Sequence, residues 1–359
     1  MATKTKARLV ARGDEQRVNI DFGELFAPTV AASSVRLLTA MACELDLDLC
    51  HFDIEQAFVQ SDLEENVSMR LPQGCGSLSG KIVRLNKSLY GLKQASRQWH
   101  AHLTRCLLTL GFVQCLADAC VFRLMDEWKV VMTIVVHLDD IFAVGEKARC
   151  DQFGRGLDQM VPVKNLGELR RYSGCFYERV WEKGVLKISQ QTFTEQLADE
   201  YGIEFGESVP LPVGRKLAEF DKNEAPGDWP FLELVGSLMW LSTQTWPDIS
   251  NAVRAVARYC AAPKLVHWRA ALGILGYVRW TSSFGVTFQR GTAGGLILQV
   301  FADVDYASKA ADRRSVSGGL VIFGGACVSW FLGLRNASHS PRRRQSTWRL
   351  QTPLGKFCS

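Results

Sequence analysis

The stretch Val130–Val144, VVMTIVVHLDDIFAV, decides how this chain is built. Two short runs rich in Val and Ile flank the adjacent Asp139 and Asp140, and Gly145 closes the second run. Short, β-branched apolar runs of this kind read as strands buried on both faces rather than as one helix. The two aspartates then fall at the bend of a β-hairpin, where Asp is in any case a common turn residue. A second acidic position shifts the reading toward chemistry. In LDLDLCHFDI, Leu45, Leu47, Leu49, His51 and Asp53 share one parity, which predicts Asp53 at the end of a strand's apolar face. A carboxylate is costly there unless a cation meets it. One Asp from a strand and two from a hairpin make a candidate divalent-metal site.

Composition sets the frame for that site. The chain has 359 residues and 47% hydrophobic content, enough for a globular protein of two or three domains. Its net charge of +5 suits a polyanionic partner without demanding one. Met1–Gly13 is polar and basic with no apolar core, so no signal peptide is expected, and no apolar run is long enough to span a bilayer. The 11 cysteines are dispersed with no C-x-x-C pair, which reads as reduced, intracellular packing residues rather than a zinc site.

Helical and strand signals surround the hairpin. Thr3–Val18 interleaves Lys4, Lys6, Arg8, Arg12 and Arg17 with apolar residues, either a solvated edge strand or cations facing phosphate. Ser34–Leu47 carries Val35, Leu38, Met41 and Leu45 on one helical stripe. Ile82–Leu85 reads as a short strand, and from Ala95 an amphipathic helix carrying Trp99, Leu103, Leu107 and Leu110 runs to Gly111. Basic strands, helix, Asp strand, helix and Asp-Asp hairpin predict an α+β fold with helices packed on an antiparallel sheet. Further on, Ile188–Ile203 reads as a strand turning into a helix, and Leu232–Tyr259 and Trp268–Trp280 as helical.

KARLVARG, FAPTV, FDIEQAF, LNKSLYGLKQASRQW, the Asp-Asp hairpin and LVGSLMWLS followed by PDI occur in one order. That order resembles the reverse transcriptase of copia-type LTR retrotransposons, from about Lys6 to Leu334. The resemblance implies fingers and palm over residues 1–165, a palm end with primer-grip-like segment over 166–215, thumb and connection helices over 216–292, and a truncated ribonuclease H-like α/β domain over 293–335. It implies an RNA-directed DNA polymerase acting with an RNA template, a DNA primer, their RNA-DNA hybrid and deoxynucleoside triphosphates. The family places such a protein in the cytoplasm, within a virus-like particle, or in the nucleus, and predicts neither membrane association nor a particular oligomeric state. Its polyproteins carry gag, protease and integrase regions upstream, which do not precede Met1 here, so a fragment outside normal packaging is expected.

The same resemblance assigns roles. Asp53, Asp139 and Asp140 match the palm carboxylates that hold two Mg²⁺ ions, or Mn²⁺, roughly 4 Å apart. Asp53 and Asp139 are the principal ligands, Asp140 supports them, and the Ile54 carbonyl touches the metal. Phe58 matches the steric gate that excludes a ribose 2′-hydroxyl. Lys6 and Arg8 resemble the cations that hold the triphosphate, and Tyr90, Gly91, Lys93 and Gln94 the lining of the nucleotide and template pocket. Asp303 is the first carboxylate of the ribonuclease H motif, with Asp305 its neighbour.

Several positions depart from the family. His137-Leu138 stands where Tyr-Val is usual, and Ser96 replaces a proline at a helix start, where Ser is a good cap. Trp246 and Trp280 replace Arg and Gly, each a one-base change, as in an element accumulating lesions. The basic segment NASHSPRRRQSTW at 336–348 reads at face value as a disordered nucleic-acid-binding tail. Regrouping its bases one position upstream permits a Glu-Ala-Glu-Tyr segment like that of the family. This predicts a frameshift near Phe331–Arg335, an out-of-frame tail over 336–359 and an inactive ribonuclease H domain. Three functions follow: a polymerase, a catalytically dead nucleic-acid-binding relic, and, ranked last, a plain phosphoesterase.

Overall fold

The structure, a computed structural model, describes residues 9–305 apart from 213, 216, 219, 221–223 and 226, and residues 315–335. Lys6, Arg8 and the 336–359 tail lie outside the described residues. Contacts divide the chain into two compact units, Met1–Val35 with Leu47–Leu169, and Arg36–Asp46 with Arg170–Ser359.

Helix α1 (Ala32–Glu44) is the first α-helix of the described residues, and its residues fall in both units. The first unit continues with β1 (Asp48–Ile54), α2 (Ala57–Gln60), β2 (Ser68–Arg70), β3 (Ile82–Arg84) and α3 (Ala95–Thr109). Then come β4 (Phe112–Gln114), β5 (Val121–Asp126), β6 (Lys129–His137), β7 (Asp140–Gly145), α4 (Lys147–Asp158) and β8 (Val163–Glu168). Six strands form one antiparallel sheet in the order β4-β5-β6-β7-β1-β8, and β2 and β3 pair separately. The β-branched runs of the hairpin are buried on both faces, with Met132–Val136 and Ile141–Gly145 continuously inside.

One face of this sheet carries the main core. Cys50, Phe52 and Ile54 of β1 and Ile141 and Ala143 of β7 meet Trp99, Leu103 and Leu107 of α3 and Cys150, Phe153 and Leu157 of α4. At Gly154 of α4 a Cβ would lie 2.6 Å from the Phe52 ring, so glycine there lets the helix seat directly on β1. The core face of β1 is therefore the one opposite Asp53. The expected apolar parity from Leu45 through Asp53 holds only at Leu49, which is buried; the strand begins at Asp48, and Leu45 lies in the turn before it with 48% exposure. Asp53 sits on the sheet's other face with His51, away from α3 and α4.

The second unit contains β9 (Arg171–Tyr172), β10 (Cys175–Val180), β11 (Val185–Ser189), α5 (Gln191–Glu200), α6 (Phe231–Gln244), α7 (Ser250–Ala257), α8 (Leu265–Trp280) and β12 (Gly285–Gln289). It ends with β13 (Leu298–Asp305), β14 (Ser315–Phe323) and β15 (Ala326–Arg335). One antiparallel sheet runs β12-β11-β10-β9 and another β13-β14-β15, while α5 to α8 share an apolar core. The expected helix over Leu232–Tyr259 is broken at Thr245–Ile249, because Pro247 lacks the N–H an α-helix interior needs and starts a 3-10 turn instead. Buried Arg36 ties the last sheet to the helices. Its guanidinium donates to the carbonyls of Val328, Thr243 and Gln244 and lies 3.9 Å from the Trp330 ring centroid. Burial lowers its pKa to about 10.

Two local expectations are revised. The described part of the basic N-terminal stretch is not an edge strand but a chain with a 3-10 turn at Gly13–Glu15, and Arg12 pairs with Asp14 at 2.6 Å and Glu15 at 3.0 Å. Ser96 does not cap α3, because the helix starts at Ala95 with Gln94 in the cap position. Of the two tryptophans that depart from the family, Trp246 is 2% exposed with its indole N–H donating to Thr281 Oγ1 at 3.2 Å, and Trp280 is 72% exposed.

Candidate active site

The site is built by a two-residue turn and one register. His137 of β6 and Asp140 of β7 face each other across the hairpin, leaving Leu138 and Asp139 as the turn. Leu138 has φ +57° and Asp139 is not among the positive-φ residues, the pattern of a type II′ turn, which favours glycine at the first position. A leucine held there costs about 1–2 kcal/mol of backbone strain. Two hydrogen bonds fix it: the buried Trp99 Nε1 donates to the Leu138 carbonyl at 2.8 Å, and Ile54 N donates to the Asp139 carbonyl at 2.9 Å. The second bond joins the turn to the end of β1.

That register sets Asp53 directly opposite Asp140, with Asp139 one residue before it. All three carboxylates are partly exposed. Burial raises the Asp53 pKa, and the neighbouring Asp139 and Asp140 raise it further, while His51 and Lys164 draw it back. Lys164 faces Asp53 across β8, but its ammonium pairs with Glu55 at 2.5 Å. His51 Nε2–H donates to Asp140 Oδ1 at 2.8 Å. Repelling carboxylates that raise a neighbour's pKa mark a place where positive charge is wanted. Among the described residues no group of three or more His, Cys, Asp or Glu side chains is arranged to hold a metal by itself. The donors are nonetheless all oxygen, which fits Mg²⁺, an ion commonly held by one or two carboxylates plus substrate phosphates.

The described nucleotide-pocket candidates all belong to the first unit. Gln56, at φ +52°, turns the chain from β1 into α2, and Phe58 then packs edge-on against Tyr90 with ring centroids 4.8 Å apart. Ala11 N donates to the Tyr90 carbonyl at 2.7 Å, and a Cβ on Gly91 would lie 2.1 Å from the Ala11 carbonyl oxygen. With φ +91° as well, position 91 takes only glycine without displacing the N-terminal segment. Lys93 is exposed, its Nζ 4.8 Å from the Phe22 ring centroid. Gln94 is fully buried. Its amide donates to the Asp21 carbonyl at 2.9 Å and accepts from Gln16 Nε2 at 3.0 Å, so its polar atoms face the protein interior. Beside it Gln98 donates to Glu65 at 2.6 Å.

Asp303 lies elsewhere, in the second unit. It is exposed on β13, with Gly318 opposite it on β14, and lines a cleft of about 540 Å³ with Asp248, Asn251, Trp330 and Phe331. Asp305 is placed by its backbone opposite Val316.

Sequence reading missed His51, Trp99 and Lys164 as parts of the hairpin site. His51 had a signal, since it precedes Asp53 by two residues and so shares its face of a strand. The other two gave none, because their partners lie 39 residues away for Trp99 and across a strand pairing for Lys164.

The Leu138-Asp139 turn, locked by two hydrogen bonds, thus brings Asp139 and Asp140 beside Asp53 at one strand end of an antiparallel sheet. The family of reverse transcriptases (RNA-dependent DNA polymerases) matches residues 1–214, and the chain belongs to this family. It is similar to the retrovirus-related Pol polyprotein from transposon TNT 1-94 of Nicotiana tabacum, 32% identical over 339 residues, covering 90% of this chain and 25% of that protein. It also resembles the Pol polyprotein from transposon RE2 of Arabidopsis thaliana, 31% identical over 330 residues and covering 22% of it. The transposon Ty1-BL Gag-Pol polyprotein of Saccharomyces cerevisiae is 28% identical over 225 residues, 59% of this chain. The chain thus spans about a quarter or less of the curated relatives it matches first, 25% and 22%. The copia-type resemblance read from the motifs stands, on a mixed α/β architecture of antiparallel sheets and helices. Among the described residues no helix is long and apolar enough to cross a membrane.

Proposed function

We propose that this chain is the RNA-directed DNA polymerase segment of a copia-type retrotransposon polyprotein, extending a DNA primer on an RNA template. The observation that carries the reading is the placement of Asp53 opposite Asp140 with Asp139 in the locked turn. Asp53 and Asp139 are the principal carboxylates for two Mg²⁺ or Mn²⁺ ions, Asp140 supports them, and the Ile54 carbonyl completes the set. When bound, the metal supplies Lewis acidity at the primer 3′-hydroxyl and neutralises charge on the leaving pyrophosphate. The protein's own groups orient the reactants. Phe58, braced by Tyr90, walls the sugar against a 2′-hydroxyl, Gly91 keeps the N-terminal segment close, and Lys93 offers a cation to phosphate. Lys6 and Arg8 keep their proposed role at the triphosphate, and Gln94 acts by holding this wall rather than by touching the nucleotide.

The fingers-palm-thumb division, with fingers and palm up to residue 165 and thumb helices over 216–292, belongs to the same proposal. So does the reading of residues 293–335 as a truncated ribonuclease H-like domain that has lost activity in a degenerate copy. The seating of Trp246 supports a fold that tolerates at least that substitution. Primer extension by the purified chain on a primed RNA template with Mg²⁺ or Mn²⁺, beside Asp139→Asn, tests the reading. Extension that disappears in the variant supports it. Salt-sensitive duplex binding with no extension would instead favour the nucleic-acid-binding relic.

A further inference from the structure

We infer that His51 is a positioning residue for the metal site, holding the Asp140 carboxylate in place so that Asp53 and Asp139 are left as the working pair. The inference rests on the polymerase reading for its function, but its geometry stands by itself. His51 and Asp53 are two residues apart on β1 and therefore point to the same face of the sheet. Asp140 lies directly across from Asp53, so His51 reaches it diagonally, and the Nε2–Oδ1 distance is 2.8 Å. The His51 side chain is only 13% exposed and that of Asp140 34%, so the bond is approached by water mainly from the Asp140 side. A carboxylate only accepts, so a neutral His51 must keep its proton on Nε2.

The consequence is a division of labour between adjacent aspartates. Asp139 is fixed through its backbone, by the bond from Ile54 N, which does not engage its carboxylate. Asp140 has one oxygen occupied by His51 and retains the other. Without His51, three carboxylates would share one strand end with less to separate them, and Asp140 would swing between rotamers. Groups that orient a metal-binding carboxylate by hydrogen bonding commonly change metal affinity or activity by about 10–100-fold when removed.

The test compares His51→Ala with His51→Gln, whose amide can still donate to Asp140. Mn²⁺ binding by electron paramagnetic resonance is read first, then kcat, the KM for deoxynucleotide and the half-saturating Mg²⁺ in primer extension. We expect His51→Ala to weaken Mn²⁺ binding and lower kcat by about 10-fold, with KM and duplex affinity unchanged, and His51→Gln to recover most of both. A His51→Gln variant as impaired as His51→Ala, or a His51→Ala variant with unaltered Mn²⁺ binding, overturns the inference, as does a wild-type chain that binds no Mn²⁺. If the wild type binds Mn²⁺ but extends no primer, the polymerase reading fails while the Mn²⁺ comparison still decides the role of His51.

Discussion

Two antiparallel sheets in this molecule carry motif aspartates at strand positions, and they differ in what surrounds those residues. On β1 and β7 the register places one aspartate opposite another, and a third in the turn raises the pKa of Asp53 along with burial. On β13, Asp303 has Gly318 as its cross-strand partner and is exposed at the edge of a cleft whose other described carboxylate is Asp248. A motif identifies the residue, but the cross-strand partner decides whether charge accumulates. The first sheet concentrates negative charge that a cation would relieve; the second leaves one carboxylate to the solvent.

The largest expected effect follows from that difference. Asp139→Asn should reduce primer extension by on the order of a thousandfold, equivalent to about 4 kcal/mol of transition-state stabilisation. Asp303→Asn should leave extension unchanged. Measuring both variants on one primed template breaks the comparison if Asp303 proves equally necessary. On an RNA-DNA hybrid, the wild type is expected to leave the RNA strand uncut in an assay that resolves cleavage products.

Discrimination at the sugar is the next effect in size. Phe58→Ala removes a ring supported edge-on by Tyr90 and opens the space proposed for the 2′-hydroxyl. Ribonucleotide incorporation relative to deoxynucleotide incorporation should rise by roughly 10–100-fold, as expected for relief of a steric exclusion of about 1–3 kcal/mol. The ratio of kcat/KM for the paired nucleotides reads this directly. An unchanged ratio would return Phe58 to the role of a core residue, since it also packs against the main core.

Gln94 sharpens the comparison by separating support from contact. Its buried amide links Asp21 and Gln16, so Gln94→Leu leaves polar partners unsatisfied and should cost about 1–3 kcal/mol of stability. Urea unfolding measures the loss. The KM for deoxynucleotide, taken at a temperature where the variant is folded, should stay within about 2-fold, because the side chain is a brace; a large KM change at unaltered stability would make it a contact.

How much of this was legible in the sequence depended on the range of the interaction. The hairpin at Val130–Val144 was readable because β-branched runs and a polar bend are local signals, and the helix from Ala95 because its apolar spacing is periodic. The strand carrying Asp53 was found, but its core face was misjudged. The turn between α1 and β1 supplies Leu45 and Leu47, which extend an apparent alternation beyond the strand itself. Asp53, Asp139 and Asp140 were legible from their strand and hairpin positions and from the order of motifs, whereas the bond from Trp99 to Leu138 and the pairing of His51 with Asp140 depend on register between distant segments. The break in the long helical stretch falls at Pro247, a local signal that the helical reading of Leu232–Tyr259 did not use.

The smallest effect concerns stability rather than rate, and its sign follows from Asp53. Burial and the two neighbouring carboxylates raise its pKa in the folded state. Between the ordinary aspartate range and that raised value, the folded chain keeps a proton that the unfolded chain has released. Stability from this group therefore falls as pH rises through the window, and the penalty is constant above it. Asp53→Asn removes the penalty, so the variant should melt slightly higher than the wild type at neutral pH, by on the order of 1 °C, and the gap should close as pH falls through the window. Mg²⁺ should raise the wild-type Tm at neutral pH, lose that effect on acidification, and leave Asp53→Asn nearly unaffected. A set of melting curves across pH with and without Mg²⁺ checks all three. A variant less stable than the wild type at neutral pH would mean that Asp53 is already neutralised, through Lys164 or His51, and that the contrast between the two sheets is smaller than their carboxylate registers suggest.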